Sequence, residues 1–209
     1  MKTFVIIPAG GTGSRIDSEI PKQYLKVLGK EILVYTLETF QKSSMIDEII
    51  LAAQPGYFDL LDRLKSKYGL NKISKIIEGE AGDIVAVHDA VRPLLPESVL
   101  ENAIINAKKF DSIVVAMKVK DTLIEGNGYV KNYVPREEIY QAQTPQVFKY
   151  SILKGAMDKA YKENKKFTDE SNLVKNASYH VKIIDGSPLN FKITTKSDLD
   201  LFEMIAKAI

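Results

Sequence analysis

Short apolar runs alternate along this chain with stretches in which apolar residues recur every three or four positions. The first pattern suits a strand buried on both faces, the second a helix lying with one face on a sheet. Runs at 3–8, 48–53, 73–78, 84–88 and 112–119 predict strands; helical spacing at 32–41, 57–68 and 97–110 predicts helices between them. Pro96 at a first helical turn, with Glu97 beside it, is a start signal for the last of these. Over 197–209, Leu199, Leu201, Phe202, Ile205 and Ile209 fall at helical spacing, with Thr195 or Ser197 as cap. Such alternation predicts an α/β fold in three layers, a mostly parallel sheet with helices on both faces. Ligands of these sheets bind beyond the carboxyl ends of the strands.

Two stretches break the alternation. At 121–135, Leu123-Ile124-Glu125 and Tyr129-Val130-Lys131 flank Gly126-Asn127-Gly128, which predicts a β-hairpin with a tight turn. A lone two-stranded ribbon is marginal in water, so it lies either on its own domain or on another subunit. The second stretch is Gly79-Glu80-Ala81-Gly82-Asp83, between the strands at 73–78 and 84–88. Parallel neighbours need a crossover of roughly a dozen residues, and this segment cannot supply one. Either the crossover has been lost or the sequence omits residues here, and an omission is expected.

With 209 residues, 45% of them hydrophobic, the chain is long enough for one well-buried domain over 1–209. A net charge of +2, with dispersed basic residues, gives no reason to expect a nucleic-acid partner. The absence of cysteine excludes disulfides and thiolate zinc sites, and suits a reducing compartment. Two histidines make a protein-only zinc site unexpected. Lys2 leads straight into a strand-like run rather than a signal peptide, and no apolar stretch approaches the ~20 residues of a membrane span. A cytoplasmic protein without a membrane partner is expected.

The chemistry concentrates behind the first strand. Pro8-Ala9-Gly10-Gly11-Thr12-Gly13-Ser14-Arg15 is followed by Pro21-Lys22-Gln23. Three glycines in four positions let the backbone turn tightly and offer its N–H groups to an anion. Arg15 and Lys22 add two cations, a combination that points to a nucleotide triphosphate. Two other glycine loops fit poorly. A dinucleotide fingerprint starting at Gly11 would meet Ile16 where its third glycine belongs, and a P-loop would need Gly-Lys-Ser/Thr where Gly13-Ser14-Arg15 stands.

Ala-Gly-Gly-x-Gly-x-Arg followed by Pro-Lys-Gln resembles the signature of sugar-nucleotide and polyol-phosphate nucleotidyltransferases. His88-Asp89-Ala90-Val91-Arg92-Pro93 resembles a second motif of the cytidylyltransferases among them. Lys120-Asp121-Thr122, Gln143-Thr144-Pro145-Gln146, Thr168-Asp169-Glu170 and Asn190-Phe191-Lys192-Ile193-Thr194 follow in family order over nearly the whole chain. The chain is similar to the 2-C-methyl-D-erythritol 4-phosphate cytidylyltransferase family, with ribitol-5-phosphate cytidylyltransferases as near relatives.

The resemblance implies a Rossmann-like nucleotidyltransferase fold whose 121–135 hairpin is a protruding dimerisation arm. It implies attack of a polyol phosphate on the α-phosphorus of CTP, with Arg15, Lys22 and Lys192 as catalytic cations. Pro8, Ala9, Gly10, Gly11, Gly13 and Asp89 would bind CTP, Asp89 by holding the ribose or a Mg²⁺ ion. Thr122, Arg136 and Thr168 would hold the polyol phosphate, the first two reaching across from the partner subunit of a homodimer. By alternation alone, Lys192 would be a solvent-facing residue of a strand at 189–193. His88 and His180 read as structural, Arg92 as paired locally with an acid, and Asp121, Asp169 and Glu170 as either hydroxyl-orienting or turn and cap residues. The alternatives are the same chemistry on ribitol 5-phosphate and a non-catalytic nucleotide-binding domain.

Overall fold

The computed structural model describes residues 1–11, 20–74 and 82–208. Its frame is a seven-stranded sheet in the order β11-β7-β10-β6-β1-β4-β5. These strands are β1 (Thr3–Pro8), β4 (Glu48–Ala52), β5 (Ile73–Ser74), β6 (Ile84–Val87), β7 (Ser112–Lys118), β10 (Tyr140–Lys149) and β11 (Lys182–Asp185). All neighbours run parallel except β10, which is antiparallel to both β6 and β7. The short pair β2 (Lys26–Val27) and β3 (Lys30–Glu31) and the ribbon of β8 (Leu123–Gly126) and β9 (Val130–Val134) form separate two-stranded sheets. The hairpin read at 121–135 is thus present, with Gly128 at a positive φ of 76° in its turn.

Among the described residues there are six α-helices: α1 (Ile32–Lys42), α2 (Phe58–Tyr68), α3 (Glu97–Phe110), α4 (Tyr150–Lys162), α5 (Glu170–Asn176) and α6 (Lys196–Ala206). Alternate residues of β6 serve opposite faces. Ile84 and Ala86 join Val5, Ile7, Leu37, Phe40 and Ile104 in one core, while Val85 and Val87 join Phe148, Leu153 and Val174 in another. That double burial is why the strands read as unbroken apolar runs. Phe202 of α6 seals a third cluster with Ile32, Val91 and Ile193, and meets the Tyr35 ring edge-on at 5.1 Å.

Three expectations are corrected. Residues 189–193 are a turn and an irregular loop, not a strand. Pro96 is the N-cap of α3 rather than a residue of its first turn. And β5 and β6 are not neighbours, because β4 and β1 lie between them. The expected omission rested on their adjacency and loses that ground. The return from β5 to β6 still has only residues 75–83 to make it, most of them outside the described residues.

Candidate active site

β1 and β6 are parallel neighbours, with Ile6 opposite Val87, so Pro8 and His88-Asp89 leave the sheet at one edge. His88 extends the ladder, its N–H donating to the Ile6 carbonyl at 3.0 Å. Its ring is fully buried against Phe40, with centroids 5.0 Å apart. Nδ1 lies 3.0 Å from Thr144 Oγ1, which also accepts the Asp89 N–H at 3.1 Å. The Arg92 carbonyl, 3.2 Å from Nε2, can only accept, so Nε2 carries the ring proton and donates it there, leaving Nδ1 to accept from the Thr144 hydroxyl. Burial lowers the His88 pKa to about 4, so the ring is a neutral strut, as its structural reading had it.

Asp89 is the electrostatic centre. Oδ1 accepts from Lys192 Nζ and Oδ2 from Arg92 Nε, both at 2.9 Å. Burial works to raise its pKa, but Lys192 and Arg92 outweigh that and hold the carboxyl below the ordinary value. Arg92, the locally paired arginine, also donates to the Asn190 carbonyl at 2.7 Å. The Ile193 N–H donates to Val91 at 2.9 Å, completing the splice between the 89–92 turn and the 190–194 loop. Lys22 arrives at the same loop, its Nζ donating to the Ile193 carbonyl at 2.9 Å. Burial works to raise the Asp198 pKa, but the Thr195 and Thr194 N–H groups, the Thr195 hydroxyl and, to a smaller degree, Lys22 hold the carboxyl below its ordinary value.

A cavity of about 290 Å³ opens on this cluster, its lining including Pro8, Asp89, Gln143, Thr168, Glu170 and Lys192. Asp169 turns out to be the N-cap of α5, accepting from the Asn172 N–H and the Ser171 hydroxyl. Burial and the neighbouring Asp169 and Asp89 charges raise the Glu170 pKa. Thr122 and Arg136 do not line this cavity. They lie exposed at the root of the ribbon, where the Arg136 guanidinium donates to the Lys120 carbonyl. Gly13 and Arg15 lie outside the described residues.

The motif Gln143-Thr144-Pro145-Gln146 brackets neighbouring segments by its hydrogen bonds. Gln143 exchanges hydrogen bonds with the backbone of Ser187, and Gln146 accepts from the Ser171 N–H at 2.7 Å. The fully buried Asn190 donates to the Thr144 carbonyl at 2.6 Å and to Gln143. A Cβ at Gly186 would collide with the Gln143 amide oxygen, so a side chain there would push Gln143 off its hydrogen bonds to Ser187. These roles were not legible in the sequence, although the motifs that contain them were.

The family model for 2-C-methyl-D-erythritol 4-phosphate cytidylyltransferase matches residues 3–208. This chain belongs to that family. It is an enzyme, a nucleotidyltransferase of the cytidylyltransferase class, a class that generally uses a divalent metal ion. The relative of that name from Caldicellulosiruptor saccharolyticus is 37% identical over 225 residues, covering 100% of this chain and 97% of the relative. The one from Clostridium novyi is 34% identical over 228 residues, covering 100% and 98%. Both alignments are longer than the 209-residue chain that they cover, so these relatives carry residues with no counterpart here.

Solved structures agree on the fold. A 4-diphosphocytidyl-2C-methyl-D-erythritol synthase from Anaerococcus prevotii superimposes with a TM-score of 0.84 at 27% identity, covering 99% of this chain and 96% of that one. A 2-C-methyl-D-erythritol 4-phosphate cytidylyltransferase from Francisella tularensis gives 0.81 at 28%, with 98% and 99% covered. Among the described residues, no helix is long and apolar enough to cross a membrane.

Proposed function

We propose that this enzyme transfers the cytidylyl group of CTP to the phosphate of 2-C-methyl-D-erythritol 4-phosphate, a step of non-mevalonate isoprenoid synthesis. The observation that carries the reading is the meeting of Lys22 and Lys192, from opposite ends of the chain, on one loop beside Asp89. An oxygen of the acceptor phosphate attacks the α-phosphorus, the α–β bridging bond breaks, and pyrophosphate leaves. Charge gathers on the α-phosphoryl oxygens, so positioned cations do most of the work. Lys22 and Lys192 are held in place by a carbonyl and a carboxylate, from which a more highly charged phosphate can draw them. Arg15 is assigned to the same task by its motif.

Pro8, Ala9, Gly10, Gly11 and Gly13 are assigned to the CTP phosphates, and Asp89 to the ribose or to Mg²⁺. The donor chemistry fits magnesium. Asp89 is an ionised carboxylate with its side chain 25% exposed, and Mg²⁺ favours one or two carboxylates plus water and phosphate oxygens. Among the described residues no cluster of three acids or histidines offers a closed protein cage. Bound at Asp89, the ion would neutralise phosphate charge.

The reading takes 1–209 as one cytoplasmic nucleotidyltransferase domain and 121–135 as its dimerisation arm. Exposed Ile124, Tyr129, Val130 and Tyr133, on a ribbon that pairs with no other strand among the described residues, support a homodimer. Thr122 and Arg136 would then complete the partner's acceptor site beside Thr168. Ribitol 5-phosphate is not favoured as acceptor, since the relatives carry the erythritol name. A non-catalytic nucleotide binder would have no need of two lysines brought to one loop beside a carboxylate.

The test is pyrophosphate release from CTP with each polyol phosphate in turn, the product identified by phosphorus NMR. Turnover with the erythritol phosphate is expected. Preference for ribitol 5-phosphate, or no turnover with either, would overturn the assignment.

A further inference from the structure

Three successive carbonyls of the glycine loop are held by side-chain amides. Gln23 Nε2 donates to the Ala9 carbonyl at 2.7 Å and to the Gly11 carbonyl at 2.8 Å. Gln54 Nε2 donates to the Gly10 carbonyl, between them, at 2.9 Å. Gln23 is buried, and its NH₂ group has two hydrogens, one for each acceptor. Tyr24 reinforces the anchor, its hydroxyl donating to Ala9 at 3.3 Å while its ring stacks on Tyr57 with centroids 4.3 Å apart.

The consequence follows from peptide planarity. In a trans peptide, C=O and the next N–H point in opposite directions. Fixing the Ala9 carbonyl on Gln23 therefore turns the Gly10 N–H away from Gln23. Fixing the Gly10 carbonyl on Gln54 likewise turns the Gly11 N–H away from Gln54. Glycines have no side chain to set these orientations, and their wide φ/ψ freedom would otherwise scatter them. Gln23 also belongs to the one-turn helix Lys22–Tyr24, so the residue that holds the loop is bonded directly to Lys22.

We propose that Gln23, assisted by Gln54, is a positioning device for the nucleotide: it aims the glycine-loop amides at the phosphates and fixes their distance from Lys22. The inference rests on the CTP reading above. Gln23 touches no reacting atom, and its effect passes through the loop and Lys22. It also ties Gly11 to Gln23, 12 positions apart in sequence.

The test uses the intact enzyme with Gln23→Met, which keeps the volume and removes both donors, and Gln54→Ala at an exposed contact. CTP affinity is measured by titration calorimetry, and kcat and KM for each substrate by pyrophosphate release. For Gln23→Met, kcat/KM for CTP should fall about 10–100-fold, the scale of a misplaced catalytic frame. CTP binding should weaken too, while KM for the polyol phosphate stays within about twofold. Gln54→Ala should shift the CTP parameters the same way by a smaller factor. A merely structural glutamine would lower thermal stability and the active fraction without moving the CTP constants. That result, or unchanged CTP affinity in both variants, would overturn the proposal. If Gln23→Met does not fold, Gln54→Ala decides it by the same reading. A wild-type enzyme that binds CTP but transfers it to neither polyol phosphate would defeat the proposed function and leave Gln23 judged on CTP affinity. One that binds no CTP would defeat both.

Discussion

The Lys192 ammonium donates to Oδ1 of Asp89 at 2.9 Å across 103 positions of sequence. The pair is half-buried, with side chains 39% and 25% exposed, so its Coulomb energy is damped by water. Its value is geometric. With Arg92 on the other oxygen of the same carboxylate, it fastens the 190–194 loop to the end of β6 and sets a cation over the site.

Lys22→Ala should lower turnover by about 10²–10³, the usual loss for one donor to a charged transition state. Lys22 also holds the Ile193 carbonyl, so the melting temperature of the variant is measured beside its turnover to separate the two effects. Near-normal pyrophosphate release by the variant would remove Lys22 from the mechanism.

Stability should fall on mild acidification because of His88. Its pKa is lowered by burial from 6.5 to about 4; the Asp89 charge and the hydrogen bond to the Arg92 carbonyl oppose the shift, and the Arg92 charge favours it. The folded state therefore binds protons less readily than the unfolded chain. The stabilising contribution is complete above pH 6.5 and is lost as the pH falls from there towards 4, by up to about 3 kcal/mol. Melting curves from pH 7 to 4 measure this, and His88→Gln should flatten the dependence. An equally steep dependence in that variant would assign the effect to other groups.

Asn190→Ala should cost about 1–3 kcal/mol, because the Thr144 carbonyl and Gln143 lose a buried donor. The 190–194 loop should loosen with it, reducing kcat more than it raises the KM for CTP. Urea unfolding and steady-state kinetics on the same preparation separate the two effects. Intact turnover in a destabilised protein would show that the loop keeps Lys192 in place without this bracket.

Arg136→Ala should raise the KM for the polyol phosphate well above any change for CTP. Because Arg136 is assigned to a partner's site, mixing Arg136→Ala with Lys22→Ala subunits should restore part of the activity through one intact composite site per dimer. Light scattering checks that mixed dimers form. Mixed dimers without recovered activity would place each site within a single subunit.

Much of the scaffold is written locally. The helix read at 97–110 coincides with α3, because Pro96, Glu97 and the apolar period all lie within that segment. Strand β1 and the α6 cap, where Thr195 and Asp198 form a reciprocal capping box, are local in the same way. The alternation at 189–193 misled because the hydrogen bonds of that loop go to Val91, Arg92 and Thr144, far away in sequence. Strand β10 went unread where its pairing register slips between Ala142 and Gln146, and α4 directly after it went unread as well.

By itself the sequence determined the α/β class, the glycine loop, the ribbon and the residues with charge to offer, since composition, turn chemistry and periodicity act within a few residues. Tertiary structure alone decided that Lys22, Lys192, Arg92 and Asp89 converge, that Asp169 caps a helix, and that Gln23 and Gln54 grip the loop. The reason is physical. Strand order and the hydrogen bonds between distant loops are settled by burying both faces of the sheet together, and no local stretch of sequence specifies them.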